Sequence, residues 1–332
     1  MVSRRALALG LALAALGAGV LAWLVAMPTA TVRAGPRVIE IPAHAGLTGI
    51  ADRLAAADVI RSRAAFVGLA LVRGSGRRLR AGEYEIPQGA STVEVLRLLE
   101  SGRVRQHAVL HPEGATVQEL ARTLEAQGLA RTEEVVRAAQ DPQVLARLGI
   151  EAPSVEGYLF PDTYHLVRGM TAEEILGRMV QRLRARVTPD VHERARARGL
   201  DLHRLLTLAS IVEREAVDPA EQRVIAAVFW NRLRLDMPLQ ADPTVQYAVA
   251  KERRALTRAD LAVDHPYNTY TRRGLPPGPI ASPGLSAIEA VLDPADVRYL
   301  YFVKRDDRRH EFSRTIDEHN AAVARYRRIS RR

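Results

Sequence analysis

The sequence predicts an α+β protein in three parts: an apolar N-terminal helix, a small α/β module and a larger mixed α+β domain. Three observations carry this prediction. An uncharged run lies near the N-terminus, strand–turn–helix patterns follow it, and the rest of the chain alternates amphipathic helices with proline-rich loops. The 332 residues are enough for about two domains, and the hydrophobic fraction of 47% can supply their cores.

The first part is the uncharged run, residues 6–27, which follows Arg4 and Arg5. Its length suits a helix that crosses the core of a bilayer, and the arginines predict that residues 1–5 lie in the cytoplasm. A cleaved signal peptide is the alternative, because small residues lie near the end of the run. The run is longer than the apolar part of a signal peptide. We therefore expect a single-pass anchor in the cytoplasmic (inner) membrane, with the main body periplasmic or otherwise extracytoplasmic.

The charge and motif content narrow the possible partners. A net charge of +10 is compatible with nucleic acid, anionic lipid or an acidic polymer, but export and the lack of a basic recognition helix argue against nucleic acid. The chain has no cysteine, no HExxH pair and no phosphate-cradling glycine loop, and its histidines are scattered. We expect no metal, no cofactor and no nucleic-acid partner.

The small module follows a predicted linker, residues 28–37. A strand-like stretch, a proline, a turn and an amphipathic helix occur in this order three times. The three segments are residues 39–60, 84–102 and 109–130. Their irregular spacing excludes a solenoid. We predict a compact module over residues 38–104 that leads into the larger domain, residues 105–332; ordinary strand–helix alternation is the alternative explanation.

Glu213 and Glu215 stand out at the end of an apolar helix. Predicted N-caps begin this helix and three others; they are Thr92, Thr116, Thr171 and Asp201. In the stretch LLTLASIVEREA, residues 205–216, eight uncharged residues precede the two glutamates. Burial raises the pKa of a carboxyl group and keeps its proton available, as a general acid on a glycosidic oxygen requires. Structural ion pairs with nearby arginines are the alternative, and the helix alone leaves both open.

From residue 155 onwards the chain resembles the endolytic murein transglycosylase family, the MltG or YceG-like proteins. The matching segments are EGYLFPDTY (156–164), ASIVEREA (209–216), VFWNRLRLDMPLQADPTVQYA (228–248), YNTYTRRGLPPGPIASPG (267–284) and YLYFV (299–303). The resemblance implies an N-terminal anchor, a LysM-like module in residues 38–104 and a catalytic domain in residues 105–332. It also implies that Glu213 is the catalytic residue.

The resemblance further implies a lyase that cuts the β-1,4 bond between N-acetylmuramic acid and N-acetylglucosamine without water and leaves a 1,6-anhydro end. Its partners are then peptidoglycan strands, the membrane and, in this family, the machinery that synthesises peptidoglycan; the reaction releases or terminates growing strands. The alternatives are a non-catalytic peptidoglycan-binding scaffold and a hydrolase that makes reducing ends. An exported DNA-binding protein has only the basic charge in its favour.

Two sets of residues are predicted to surround Glu213. The substrate-binding set offers flat tyrosine faces for sugar rings and polar groups for hydroxyl and acetamido groups: Glu156, Tyr158, Asp162, Tyr164, Gln240, Asp242, Thr244, Tyr247, Tyr267, Asn268, Thr269 and Tyr270. The supporting set is Ser210, Glu215, Asn231, Arg232 and Pro276. The proline-rich loop, residues 274–284, is expected to form a stiff groove wall. For any single tyrosine, ordinary core packing is the alternative.

Overall fold

The computed structural model describes residues 4–28, 35–42, 45–76, 78–251 and 254–329. Residues 1–3 of the predicted cytoplasmic segment and residues 29–34 of the predicted linker lie outside these ranges. The chain divides into two compact units, one of residues 1–108 with 165–170 and the other of residues 109–164 with 171–332. Each unit has its own hydrophobic core.

The helices and strands follow one another along the whole chain. In chain order they are α1 (Arg4–Ala26), β1 (Arg37–Ile41), α2 (Leu47–Ala56), α3 (Arg63–Val72), β2 (Gly82–Ile86), α4 (Thr92–Ser101), β3 (His107–His111), α5 (Val117–Ala126), α6 (Thr132–Ala138), α7 (Pro142–Arg147), β4 (Asp162–Leu166), α8 (Ala172–Arg186), α9 (Pro189–Ala197), α10 (Leu202–Glu215), a 3-10 turn (Pro219–Glu221), α11 (Gln222–Arg234), α12 (Asp242–Ala248), α13 (Arg258–Leu261), α14 (Leu285–Leu292), β5 (Tyr301–Lys304), β6 (His310–Ser313) and α15 (Ile316–Ile329). The mixed α+β class predicted from the sequence is confirmed.

The predicted anchor falls on α1. Near the end of α1 the carbonyl of Leu24 accepts a hydrogen bond from Thr92 at 3.3 Å, and the guanidinium group of Arg61 lies 4.7 Å from the ring centre of Trp23. Among the described residues, no helix is both long enough and apolar enough to cross a membrane. The transmembrane anchor therefore stays a prediction from the sequence.

The first unit packs α2, α3 and α4 against an antiparallel pair of strands, β1 and β2. Opposite residues such as Ile39 and Tyr84 are in register, and alternate residues of both strands point into the core with Phe66 and Leu96. Each strand is followed by a helix, as the strand–turn–helix patterns predict. The N-cap of α4 is Ser91, whose side chain accepts the Glu94 N–H; the prediction of Thr92 is wrong by one residue, because Ser91 is the last residue with an extended backbone.

The second unit is built around α10. Residues 205–212 are all buried, and α10 contacts α9, α11, α12 and α14. Two further strand pairs, β3 with β4 and β5 with β6, complete the described sheets. Because α10 is enclosed, its carboxyl end can meet loops that come from several distant parts of the chain.

The proline-rich segment after α13 has no regular structure up to α14, as predicted, and yet it is ordered by the fold. Residues 278–284 are buried, and α14 begins directly after them. Proline fixes φ and removes a backbone donor, so such a segment holds one path without a helix or strand. It therefore brings its last residues to the end of α10.

Thr171, the N-cap of α8, allows a test of whether side-chain capping stabilises the folded protein. Thr171 accepts the Glu174 N–H in a capping box, whereas Thr188, which precedes α9, makes no capping hydrogen bond with its side chain. Both threonines are exposed. We expect Thr171→Ala to lower the free energy of unfolding by about 1 kcal/mol, measured by chemical denaturation of the full chain in detergent. Thr188→Ala is the matched control, and an equal loss in both variants would contradict the capping role.

Candidate active site

Glu213 is the first side chain to emerge from the buried run of α10. Asp201 begins this helix by accepting the Arg204 N–H at 2.7 Å, as predicted. The Glu213 side chain is partly buried, and its Oε2 accepts a hydrogen bond from the Gly284 N–H at 3.0 Å. Within the described ranges Glu213 forms no ion pair, so the structural alternative of an arginine partner is not seen for this residue.

The electrostatics of Glu213 favour its protonated form. Burial raises the pKa of its carboxyl group, and the nearby carboxylate of Glu113 raises this pKa further, while the hydrogen bond from Gly284 lowers it. Burial is the largest of these effects, because an ionised carboxylate loses its hydration in the protein interior. A carboxyl group with a raised pKa keeps its proton to higher pH, which suits it to general acid catalysis.

Two loops meet beside Glu213 and hold each other in place. The Gly114 N–H donates to the Ser282 carbonyl at 2.8 Å, and the Ser282 N–H donates to the Ala115 carbonyl at 2.9 Å. The side chain of Ser282 also lies 2.9 Å from Nε2 of the buried His111. These contacts bring Gly284 to the Glu213 carboxyl.

Two further contacts secure the proline-rich segment. The predicted supporting residue Ser210 accepts the Ile280 N–H at 3.1 Å through its buried hydroxyl group. The hydroxyl of Tyr158 lies 2.9 Å from Nδ1 of His203, and Nε2 of His203 lies 2.8 Å from the Pro277 carbonyl. Tyr158 is itself buried, so it holds this loop in place instead of presenting a face to a ligand. Pro276, the other predicted supporting residue here, is buried.

Arg232 holds the segment that leads into α12. Its guanidinium group donates to the carbonyls of Leu300, Pro238 and Leu239 at 2.7–3.1 Å and to Oε1 of Gln240 at 3.1 Å. Asn231, on the same helix, donates to the carbonyls of residues 297 and 299. Both side chains are buried, and they hold the segment before α12 and the segment before β5 in place.

Three predicted substrate-binding residues lie in the interior. Thr244, Asn268 and Thr269 are at most 2% exposed. The two threonine hydroxyls lie 2.8 Å apart, and the Asn268 amide donates to the carbonyls of residues 261 and 263. Their polar atoms are used in hydrogen bonds inside the protein, where they shape the loops, whereas the sequence predicted them at the binding surface.

Asp242 and Tyr270 lie near the surface beside the end of α10. Asp242 is exposed, and its carboxylate accepts the Tyr270 hydroxyl at 2.5 Å. Burial, with the Asp242 charge as a second cause, raises the pKa of Glu215 to about 8. The exposed Gln240 has a left-handed backbone, with φ of 50°, and lies next to this group.

Tyr247 and Tyr267 form an aromatic pair on the same side of the unit. Their ring centres are 5.0 Å apart and the rings are inclined by 46°, and both side chains are partly exposed. The Tyr267 hydroxyl lies close to Gly278 of the proline-rich loop. These rings are suited to pack against pyranose faces.

Glu156, predicted to bind substrate, is instead a buried cap of α5. It is 6% exposed, and its two carboxyl oxygens lie 3.2 Å from the Val117 N–H. Burial raises its pKa to about 8, although hydrogen bonds from Val117 and Gly157 oppose the rise. The physical reason for the correction is that the carboxyl group faces the start of a helix, where backbone N–H groups lack partners.

Asp162 and Tyr164 lie on β4 and are occupied by local contacts. Asp162 pairs with Arg182 at 2.5 Å, and the Tyr164 hydroxyl donates to the Phe160 carbonyl at 2.5 Å. Neither Asp162 nor Tyr164 makes a hydrogen bond or ion pair with Glu213 or with the two loops that meet beside it. The structure therefore does not bring these two residues into the candidate site.

Five residues at or near Glu213 are not among those predicted from the sequence: Glu113, Gly114, His203, Ser282 and Gly284. The available signal was the Pro-Glu-Gly triplet at residues 112–114, which was assigned only to a turn. Gly114 has φ of 71°, a conformation that favours glycine, and such a turn fixes the direction in which Glu113 projects. Among the described residues no cluster of potential metal ligands is found.

The fold and site define a class: an α+β protein whose partly buried glutamate, at the end of a core helix, can act as a general acid. The chain belongs to the YceG-like family, which matches residues 39–325. The resemblance inferred from the motifs is thereby confirmed.

Two bacterial proteins and one solved structure are similar to this chain. A protein of Bacillus subtilis named endolytic murein transglycosylase is 34% identical over 304 residues, which cover 87% of this chain and 84% of that protein. A Streptococcus pneumoniae protein with the same name is 33% identical over 68% of this chain and 46% of its own length. The crystal structure of a YceG-like protein from Listeria monocytogenes matches with a TM-score of 0.61 and 32% identity, covering 86% of this chain and 98% of the other.

The buried cap at Glu156 predicts a pH dependence of stability. Its pKa is about 8 in the folded protein and about 4.3 in an unfolded chain, so between these values the folded state binds the extra proton. The stabilisation that this proton gives to the folded protein is complete below the unfolded-state pKa of about 4.3. It is lost as the pH rises towards the folded-state value. In the wild type, the free energy of unfolding should fall as the pH rises across this window. Glu156→Gln should make this fall less steep, by up to about 1.4 kcal/mol per pH unit.

The measurement is denaturant unfolding of the full chain at several pH values between about 5 and 8. Glu151→Gln, at an exposed glutamate, is the control and should keep the wild-type slope. A Glu156→Gln profile parallel to the wild type would show that Glu156 releases its proton in the folded protein as easily as in the unfolded chain.

Proposed function

We propose that this protein is an endolytic lytic transglycosylase that cleaves peptidoglycan strands. The observation that carries the proposal is the Glu213 carboxyl group: it ends a buried helix, accepts one backbone hydrogen bond, and has its pKa raised by burial. Membership of the YceG-like family and similarity to proteins named endolytic murein transglycosylase support the same conclusion.

The reaction needs one proton donor that can take a proton back. Glu213 gives its proton to the glycosidic oxygen O4 of the leaving N-acetylglucosamine as the bond from C1 of N-acetylmuramic acid to O4 breaks. The 6-hydroxyl oxygen of the same muramic acid ring then bonds to C1, and its proton passes to Glu213. Glu213 ends in its starting form, no water is consumed, and the product carries a 1,6-anhydro ring.

Intramolecular attack explains why a carboxylate nucleophile is not needed. In hydrolysis by most glycosidases a second carboxyl group attacks the sugar or activates a water molecule. Here the nucleophile belongs to the substrate, and correct orientation of an intramolecular group can lower the barrier by up to about 7–11 kcal/mol. The protein must therefore hold the sugar ring in the shape that brings its 6-hydroxyl group to C1.

The groups near the end of α10 and beside the proline-rich loop would supply such a surface. Tyr247, Tyr267 and Tyr270 offer ring faces, while Asp242 and Gln240 offer polar atoms for hydroxyl and acetamido groups. The proline-rich loop forms one wall, and its internal hydrogen bonds mean that little ordering is required when a strand binds.

We also propose a location and partners for the protein. The uncharged run of residues 6–27 supports an uncleaved anchor in the cytoplasmic membrane, with the catalytic unit on the outer side. There the enzyme would meet strands as they are made, next to peptidoglycan synthases, and its cuts would end their growth. The LysM-like assignment of residues 38–104 belongs to this proposal and is supported by the sequence pattern.

The test is digestion of purified peptidoglycan by the full chain in detergent, followed by mass analysis of the products. We expect the wild type to release fragments with 1,6-anhydro ends and internal cuts. Glu213→Gln keeps the shape but cannot transfer the proton, so we expect the rate to fall by about 100-fold or more.

Three results would contradict the proposal. Products with reducing ends would make the protein a hydrolase. Binding of peptidoglycan without cleavage by the wild type would favour a scaffold. Equal rates for the wild type and Glu213→Gln would remove Glu213 from the reaction, and Glu151→Gln serves as the control for loss of a negative charge.

A further inference from the structure

Glu113 is an exposed carboxylate beside Glu213 that the proposed reaction does not use. It lies in the loop between β3 and α5 and is followed by Gly114, whose carbonyl accepts a hydrogen bond from Arg214 at 3.2 Å. A side-chain carbon at Gly114 would lie 3.6 Å from Cγ of Glu213, so this loop touches the acid directly. Glu113 is therefore held beside the Glu213 carboxyl.

Gly284 lies next to the carboxyl groups of both Glu213 and Glu113. The Gly284 N–H binds Oε2 of Glu213, and the Cα of Gly284 faces Glu113. A Cβ atom at this position would lie 2.0 Å from Oε1 of Glu113 and 2.3 Å from its carboxyl carbon. The backbone of Gly284 is extended, with φ of −74°, a conformation open to any residue. Position 284 needs glycine because the Glu113 carboxyl group occupies the space that a side chain would fill.

The charge of Glu113 is not neutralised by a partner. Within the described parts of the chain Glu113 forms no ion pair or hydrogen bond. Charged groups on α10 and on the elements packed against it include Arg214 and Glu215 on α10, Arg232 on α11, Asp242 on α12, Glu289 on α14 and Arg194 on α9. Glu289 and Arg194 pair with each other at 2.8 Å. Glu113 is the side chain whose charge acts on the Glu213 carboxyl.

We propose that Glu113 is a second carboxylate of the active site, which faces the bound strand beside Glu213 and stabilises positive charge there. The proposal rests on the proposed function. Its negative charge acts on two positive sites: the acidic proton of Glu213 before bond cleavage, and the sugar ring, which becomes oxocarbenium-like as the bond from C1 to O4 breaks. Glu113 makes and breaks no covalent bond and transfers no proton.

Two observations support this role. A carboxylate that only stabilised the fold would be expected to have a cation or a backbone donor as its partner, and Glu113 has neither among the described residues. The neighbouring charge also contributes to the raised pKa of Glu213, after burial. A like charge close to a carboxyl group disfavours ionisation, so Glu113 preserves the acid form of Glu213 that the reaction consumes.

The first test compares Glu113→Gln with the wild type in the full chain, using purified peptidoglycan and the rate of release of anhydro-ended fragments as a function of pH. Without the charge, the Glu213 proton is lost more easily, so the basic limb of the kcat profile should move to lower pH. Above that limb kcat should fall about tenfold for each pH unit moved, with a smaller change in KM. Glu151→Gln should show neither effect.

The second test uses the crowding at Gly284. Gly284→Ala keeps the N–H that binds Glu213 but forces the Glu113 carboxyl away, so it should move the pH profile in the same direction as Glu113→Gln. In Glu113→Ala the space is empty, and adding Gly284→Ala should then cost little more. Independent, additive effects of the two substitutions would overturn the proposal.

The outcomes separate this proposal from the proposed function. If the wild type releases no anhydro-ended fragments, the proposed function fails. If the wild type is active and Glu113→Gln keeps its kcat and pH profile, only the role of Glu113 fails. A folded Glu113→Gln that loses kcat at every pH, with no shift of the basic limb, would also overturn the stabilisation of the Glu213 proton.

Discussion

The hydrogen bond from the Gly284 N–H to the Glu213 carboxyl is the contact on which the site depends. It joins α10, whose residues 205–212 are all buried, to a loop without regular structure, across 71 residues of sequence. A backbone donor binds the carboxyl without supplying a full positive charge, so the acid is oriented but remains able to hold a proton. An arginine in the same place would have oriented it equally well and lowered its pKa.

The rest of the unit can be understood as support for that contact. Ser210 fixes Ile280, His203 fixes Pro277, and Ser282 is bound on both sides by the loop that carries Glu113. Each of these holds a short stretch whose prolines already restrict its path. A loop ordered before the substrate arrives loses little conformational entropy on binding, which leaves more of the binding energy for the transition state.

Several acidic groups in this unit share a shielded environment and serve different purposes. Glu156 is buried and satisfies the start of α5, Glu215 interacts with the charges of Asp242 and Arg232, and Glu213 and Glu215 are both half-buried. Burial raises the pKa of each of them, but their surroundings differ. Glu213 differs from the buried Glu156 by its partial exposure, and from Glu215 by its hydrogen bond from Gly284 and its neighbour Glu113.

The sequence by itself determined the local features: the apolar run that ends at Glu213, the caps at Thr116, Thr171 and Asp201, and the stiffness of the proline-rich loop. These depend on periodicity, side-chain hydrogen bonds and fixed φ values, which act over a few residues. The motif resemblance pointed to Glu213, but it grouped Glu156, Thr244, Asn268 and Thr269 with the surface groups. Only the tertiary structure decided that these are buried and that Glu113 and Gly284 meet Glu213. Burial and long-range contacts arise from the packing of distant segments, and a pattern of neighbouring residues does not record which segments will touch.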